Sequence, residues 1–277
     1  MNKLLAANFS RMKQDKVFWL GILFMFLSGI AMPIMHNRTM QRDGYTMYID
    51  NGFFVSAVFI GIILSIFCSL FVGTEYSDGT IRNKVAVGQK RAVIYLSNLI
   101  TCIAAGIFMC AANVIPYLCV GIPLLGSFQA DMKIVAMLML CILILSTAFC
   151  SLYTFIAMLN QSKAGAAVIC ILSAFLLLFA GTYISARLQE PETYDSYTYL
   201  EETGEIITGE PQPNPSYLRG TKREIYEFLF DFLPGGQSLQ IANMSAENPW
   251  MLMLYSGLII VGTTGAGLWA FRKKDLK

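Results

Sequence analysis

Six charged residues fall together between two long apolar runs in the stretch Glu75–Arg91, which reads E-Y-S-D-G-T-I-R-N-K-V-A-V-G-Q-K-R. Four of these seventeen residues are basic (Arg82, Lys84, Lys90 and Arg91), against the two acids Glu75 and Asp78. Thr80 is placed to cap a helix after Gly79, and Ile81 and Val85 fall i, i+4 on one face of that helix. Gly88 then stops it, and Lys90-Arg91 mark where the next apolar run leaves the water. The spacing predicts a short helix lying along a membrane and offering a mixed polar and apolar face to something else. An ordinary turn held by basic anchors has the same composition.

Elsewhere, residues with chemical potential are sparse. The seven cysteines (Cys68, Cys102, Cys110, Cys119, Cys141, Cys150 and Cys170) all lie in apolar runs, without C-x-x-C spacing or a neighbouring histidine. Neither a disulfide framework nor a metal site is expected, and apolar packing accounts for them. The one histidine, His36, falls at the outer end of the first apolar run, the wrong address for the base of an intramembrane protease. No catalytic, cofactor-binding or metal-ligating residue is expected. No G-x-x-x-x-G-K-[ST] sequence occurs, so the chain has no P-loop to cradle ATP phosphates.

The elements that position Glu75–Arg91 follow from composition. Of 277 residues, 56% are hydrophobic and 14% charged, where a soluble domain carries about 25% charge. The net charge of +2 provides no basic field for nucleic acid. Six segments reach the ~20 apolar residues that a bilayer core requires: 17–35, 53–73, 92–120, 134–159, 164–184 and 250–271. The fold expected is therefore an all-α polytopic membrane protein, a single domain over 1–277. Pro116 predicts a kink or an early outer end in the third span.

With the amino terminus inside, the inner segments carry 13 Lys and Arg and the outer ones 7, over about twice the length, which places both termini in the cytoplasm. Residues 1–16 set Met1, Leu4, Leu5, Phe9 and Met12 on one helical face, the pattern of an amino-terminal interfacial helix; a frayed basic terminus is the alternative. The spans hold no Asp, Glu, Lys or Arg, which argues against an ion or proton pathway. Their neutral polar residues, among them Ser65, Asn98, Asn113, Ser151 and Thr154, suit hydrogen bonds between helices.

An outer insertion, 185–249, holds 4 basic and 11 acidic residues. Tyr194–Thr208 reads as a hairpin around Thr203-Gly204. Thr221 and Glu224 form a T-x-x-E capping box opening an amphipathic helix, with Ile225, Phe228, Leu229 and Phe232 on its apolar side, and Pro234-Gly235-Gly236 ends it. That helix either dips into the outer leaflet or packs over the spans; the alternative is the lid of a small outer domain.

Glu75–Arg91 resembles the cytoplasmic coupling segment of the ABC type-2 transporter permeases, which follows the second of six spans. Glu75, Gly79, Thr80, Arg82, Val85, Gly88 and Arg91 take the family's places, with Val85 where Leu is usual and Lys90 where Ser or Thr is common. Leu233-Pro234-Gly235-Gly236-Gln237 and the ending Phe271-Arg272-Lys273-Lys274 are similar to many members. The resemblance implies a coupling helix in which Glu75, Tyr76, Gly79, Thr80, Arg82, Val85, Gly88 and Arg91 meet a separate ATP-binding-cassette ATPase subunit. It implies a second permease copy or paralogue, ATP on the partner and no cofactor in this chain, and a multi-pass place in a cell membrane, bacterial by expectation. It implies outward movement of a cargo, and the neutral, partly apolar spans suggest that the cargo is amphipathic, such as a peptide, drug or lipid-like molecule. The alternative is a membrane sensor or immunity protein that captures a peptide through 185–249 without transport.

Overall fold

The computed structural model describes residues 1–195, 197–199, 206–208 and 210–275. An amphipathic helix α1 (Asn2–Gln14) leads into the first long helix, α2 (Lys16–Asp43), through a sharp corner at Asp15. The Asp15 carboxylate caps α2, accepting from Val17 N at 2.7 Å and Phe18 N at 3.1 Å. A 3-10 turn, Ile49–Asn51, precedes α3 (Ser56–Ser77); the short α4 (Thr80–Ala86) follows, then α5 (Arg91–Leu125), α6 (Met132–Leu159) and α7 (Lys163–Leu188). Between α7 and α10 (Pro249–Lys273) the described residues form four short strands and two helices, α8 (Thr221–Phe232) and α9 (Pro234–Ala242). Six of these helices are long and apolar enough to cross a membrane; five contain a segment read from sequence, and α3 with the 3-10 turn before it, Ile49–Ser77, contains the sixth, 53–73.

α3 is the central span, packed against α2, α5, α6, α7 and α9. α2, α7 and α10 lie at the periphery and leave Leu20, Leu23, Leu172, Leu176, Leu258 and Val261 exposed, as suits helices facing hydrocarbon. The early end expected at Pro116 does not form: α5 runs through both Pro116 and Pro123 to Leu125. Packing on α2 explains the continuity. A Cβ at Gly29 would lie 2.4 Å from the Asn113 carbonyl oxygen, so the two backbones are in close approach beside the proline. Asn113 reinforces the contact by donating to Met25 O at 3.1 Å and Ser28 Oγ at 2.9 Å. Other neutral polar residues divide between roles. Ser151 and Thr263 join α6 to α10 at 2.6 Å, whereas Ser65, Ser69 and Thr101 bond back to their own helices.

Strand β2 (Tyr197–Tyr199) pairs antiparallel with β3 (Ile206–Thr208), and β1 (Thr193–Tyr194) with β4 (Gln212–Pro213). The turn expected at Thr203-Gly204 lies outside the described residues. Asn214 fastens the base of this unit, donating to Pro191 O at 2.8 Å and Glu190 Oε2 at 3.0 Å. The capping box of α8 is corrected: Gly220, at φ 55°, takes the N-cap, Thr221 is the first helical residue, and no side chain caps the helix. α8 sets Phe228 and Phe232 edge-on to Tyr255 of α10, at 5.8 and 5.7 Å between ring centroids, and leaves half of Phe228 exposed.

Pro234 does more than end α8. At the first position of α9 it opens a second helix that is buried from Pro234 to Ser238 and again from Gln240 to Ala242, between α7, α3 and α6. Only glycine permits this seat. A Cβ on Gly235 would lie 1.8 Å from Leu177 O, and one on Gly181 2.5 Å from the Gly235 carbonyl carbon. The buried Gln237 amide is satisfied on both sides, donating to Asp231 O at 2.8 Å and accepting from Ser256 Oγ at 2.6 Å.

Candidate functional site

α3, α4 and α5 converge with α1 at one end of the bundle, and local sequence sets the frame. Gly79 takes the left-handed conformation (φ 67°) that turns the chain from α3 into α4. The expected Thr80 cap is absent: Gly79 occupies the N-cap and Thr80 begins the helix without a side-chain capping bond. At the other end Gly88 (φ 87°) closes a Schellman motif, in which Gln89 N donates to Lys84 O at 3.0 Å and Gly88 N to Val85 O at 2.9 Å. These two glycines isolate a helix of two turns. Ile81 is buried beneath it and Val85 half-buried, while Arg82, Asn83, Ala86, Val87, Gln89 and Lys90 are exposed. Val87, an apolar side chain at the tip, is 79% exposed.

Under α4 lies a closed cluster of charges. Glu75 is wholly buried and pairs with Arg11 of α1 at 2.5 Å and with Lys84 of α4. Its second oxygen accepts from Asn98 Nδ2 of α5 at 2.8 Å. Asn8 of α1 donates to Asn98 Oδ1 at 2.9 Å and accepts from Lys84 Nζ at 3.3 Å. Arg11 also donates to Phe71 O at 3.3 Å and lies 3.8 Å over the Phe71 ring. One carboxylate thus joins four helices through two cations and an amide. A buried charge is tolerable only with such partners, so the elements that supply them are held together.

A second set of bonds ties the end of α10 to the same place. Tyr76 Oη donates to Met158 O at 2.5 Å and accepts from Lys274 Nζ at 3.1 Å. Lys274 also donates to Met158 O at 3.0 Å and sits 4.4 Å over the Tyr76 ring. Burial holds the pKa of the Lys274 ammonium down to about 8. Arg91 donates to Phe271 O at 3.2 Å, to Arg272 O at 3.1 Å and to Lys274 O, satisfying the last carbonyls of α10.

The eight residues expected at an interface therefore separate by depth. Arg82 and Gly88 are exposed; Gly79, Thr80 and Val85 are intermediate; Tyr76 and Arg91 are half-buried and bonded to α6 and α10; Glu75 is enclosed. The structure adds Asn8, Arg11 and Lys274, which sequence reading missed, and brings in Asn98, whose expected hydrogen bonds between helices run to Asn8 and Glu75. The available signal was Asn8, a polar residue on the apolar side of α1 between Leu4 and Met12.

No curated protein matches the chain. The sequence model of the family described as ABC-2 family transporter protein matches residues 4–183, about two thirds of the chain, from α1 through nearly all of α7 and across the whole Glu75–Arg91 segment. With six apolar helices long enough to span and this match, the chain belongs to the ABC-2 transporter family, as a multi-pass membrane permease rather than a catalytic subunit.

Proposed function

We propose that this chain is the permease subunit of an ATP-driven exporter and that a separate ATPase subunit docks on α4 in the cytoplasm. The observation that carries this reading is the pairing of an exposed face, Arg82 and Val87, with an enclosed anchor, Glu75. An exposed helix on a loose loop would absorb a partner's movement. Here Lys84 joins α4 to Glu75, and Glu75 joins α1, α3 and α5, so displacement of α4 reaches the spans.

In this reading Arg82, Thr80 and Val87 touch the ATPase, whereas Glu75, Tyr76 and Arg91 act from beneath as positioning residues. A second permease copy completes the path, and both termini face the cytoplasm. At the far end α9 is the element best placed to open. It is wedged between α3, α6 and α7 and linked to α10 only through Gln237–Ser256 among the described side-chain bonds. The cargo is amphipathic, in keeping with spans that are apolar with neutral polar groups.

A photo-activated cross-linking side chain at Val87 tests this reading in native membranes. It captures an ATP-binding subunit, while the same group at Trp269, on the exposed face of α10, captures none. Capture of no ATPase from Val87 removes the transporter mechanism and leaves a membrane sensor as the better reading.

A further inference from the structure

Two open grooves flank α2 in the apolar belt. One, between α2 and α3, is walled entirely by apolar residues such as Leu20, Phe24, Phe59 and Ile63. The other lies between the α1–α2 corner and α5 and has a volume of about 570 Å³, on the scale of whole ligand sites (~300–1,000 Å³). Its walls differ in one respect: beside Met12, Phe18, Trp19, Phe108 and Ala112 they include the apolar stem of an exposed lysine, Lys13.

The groove is built rather than incidental. Met12 and Phe18 are buried in its floor, and Phe18 contacts Trp19 and Phe108 edge-on, at 5.4 and 6.5 Å between centroids. Trp19 Nε1 donates to Lys13 O at 2.8 Å, fixing the indole across the corner. Ala111 and Ala112 leave the opposite wall hollow. The Lys13 ammonium has no partner among the described residues. Arg11 is committed to Glu75, and the nearby Asp15 carboxylate is committed to capping α2.

We propose that this groove binds one anionic phospholipid from the leaflet on the α1 side. Its acyl chain lies along Phe18, Trp19, Phe108 and Ala112, and its phosphate pairs with Lys13. The charge is at the right depth, because Lys13 lies three residues before the first span begins at Lys16. A second copy of the chain is the poorer occupant, since it would seal an unpaired ammonium into an apolar seam. The proposal rests on membrane embedding alone and is independent of how the ATPase docks.

Trp19 is itself the reporter. In a Trp250→Phe, Trp269→Phe background it is the only tryptophan, and its fluorescence is read in nanodiscs holding phospholipid brominated on the acyl chain. Brominated phosphatidylglycerol quenches Trp19 at about five-fold lower mole fraction than brominated phosphatidylcholine, the scale of one lysine acting on an anionic leaflet. Lys13→Glu removes that preference, and Lys13→Gln carries the same comparison if Lys13→Glu does not assemble. Lys16→Glu, at an exposed lysine outside the groove, keeps the preference, and Ala112→Leu weakens quenching by both lipids. Equal quenching in the starting background, or a preference that survives Lys13→Glu, overturns the proposal. Trp19 shielded from both lipids in particles with the mass of two copies also overturns it and assigns the groove to self-association.

Discussion

At the scale of single residues, Glu75 carries the most consequence. It is the one anion between Arg11 and Lys84, and both its oxygens are used. Glu75→Gln keeps the shape and removes the charge, stranding two cations at the base of α4. Breaking a buried pair on one side costs ~3–5 kcal/mol, and thermal unfolding in detergent should show a loss of that order. Arg11→Gln, at a partly exposed partner, leaves Glu75 still paired with Lys84 and should cost clearly less. Equal midpoints for the two variants would mean that the cluster is solvated in the working protein.

Lys274 offers a pH-dependent readout of the α10 tail. Its folded pKa, about 8, lies below the 10.5 of a free lysine, so the unfolded chain holds the proton to higher pH. Stability therefore rises with pH through the window from about 8 to 10.5 and is flat below it. Lys274→Met should abolish that rise in the unfolding midpoint. A rise of the same size in the variant would assign the titration to another group.

At the scale of elements, the spans were legible because a bilayer requires ~20 apolar residues in a row, and nothing else in the chain imitates that. The glycine frame of α4 was legible too, because Gly79 and Gly88 occupy left-handed positions that sequence spacing can suggest. α9 was not. Pro-Gly-Gly-Gln-Ser reads locally as a breaker, and its burial depends on Leu177 and Gly181 of α7, which no local pattern connects to it. The Glu75 cluster was hidden for the same reason: Arg11 and Asn8 join it only after α1 folds back against α5, and Asn98 only after α5 packs on α3. Thr221 misled because a T-x-x-E pattern does not say whether the preceding glycine will take the cap.

The α9 seat gives a contrast between glycines. Gly235→Ala must displace Leu177 O, and forced overpacking of this kind costs ~1–3 kcal/mol. Gly262→Ala, on α10 with nothing within 4 Å of its Cβ position, should leave stability unchanged or slightly higher. Unfolding midpoints of the two variants decide the matter, and tolerance of Gly235→Ala would mean that α9 is not seated where the glycines allow it.

At the scale of the whole molecule, the chain is a six-span permease of the ABC-2 family, and in our account its conformational equilibrium is biased from outside by a partner. The exposed part of α4 is where that bias enters in our account. The direct test is the ATP hydrolysis rate of the complex with its ATPase, co-purified from native membranes and reconstituted in vesicles. Arg82→Glu combined with Val87→Asp alters only exposed side chains, so the permease should still insert and unfold at the native midpoint. The account predicts that the permease-dependent part of the rate falls by ~5–150-fold, the range of a ~1–3 kcal/mol coupling energy, whereas Lys163→Glu, at the first residue of α7, leaves it nearly unchanged. An undiminished rate in the double variant would contradict the account.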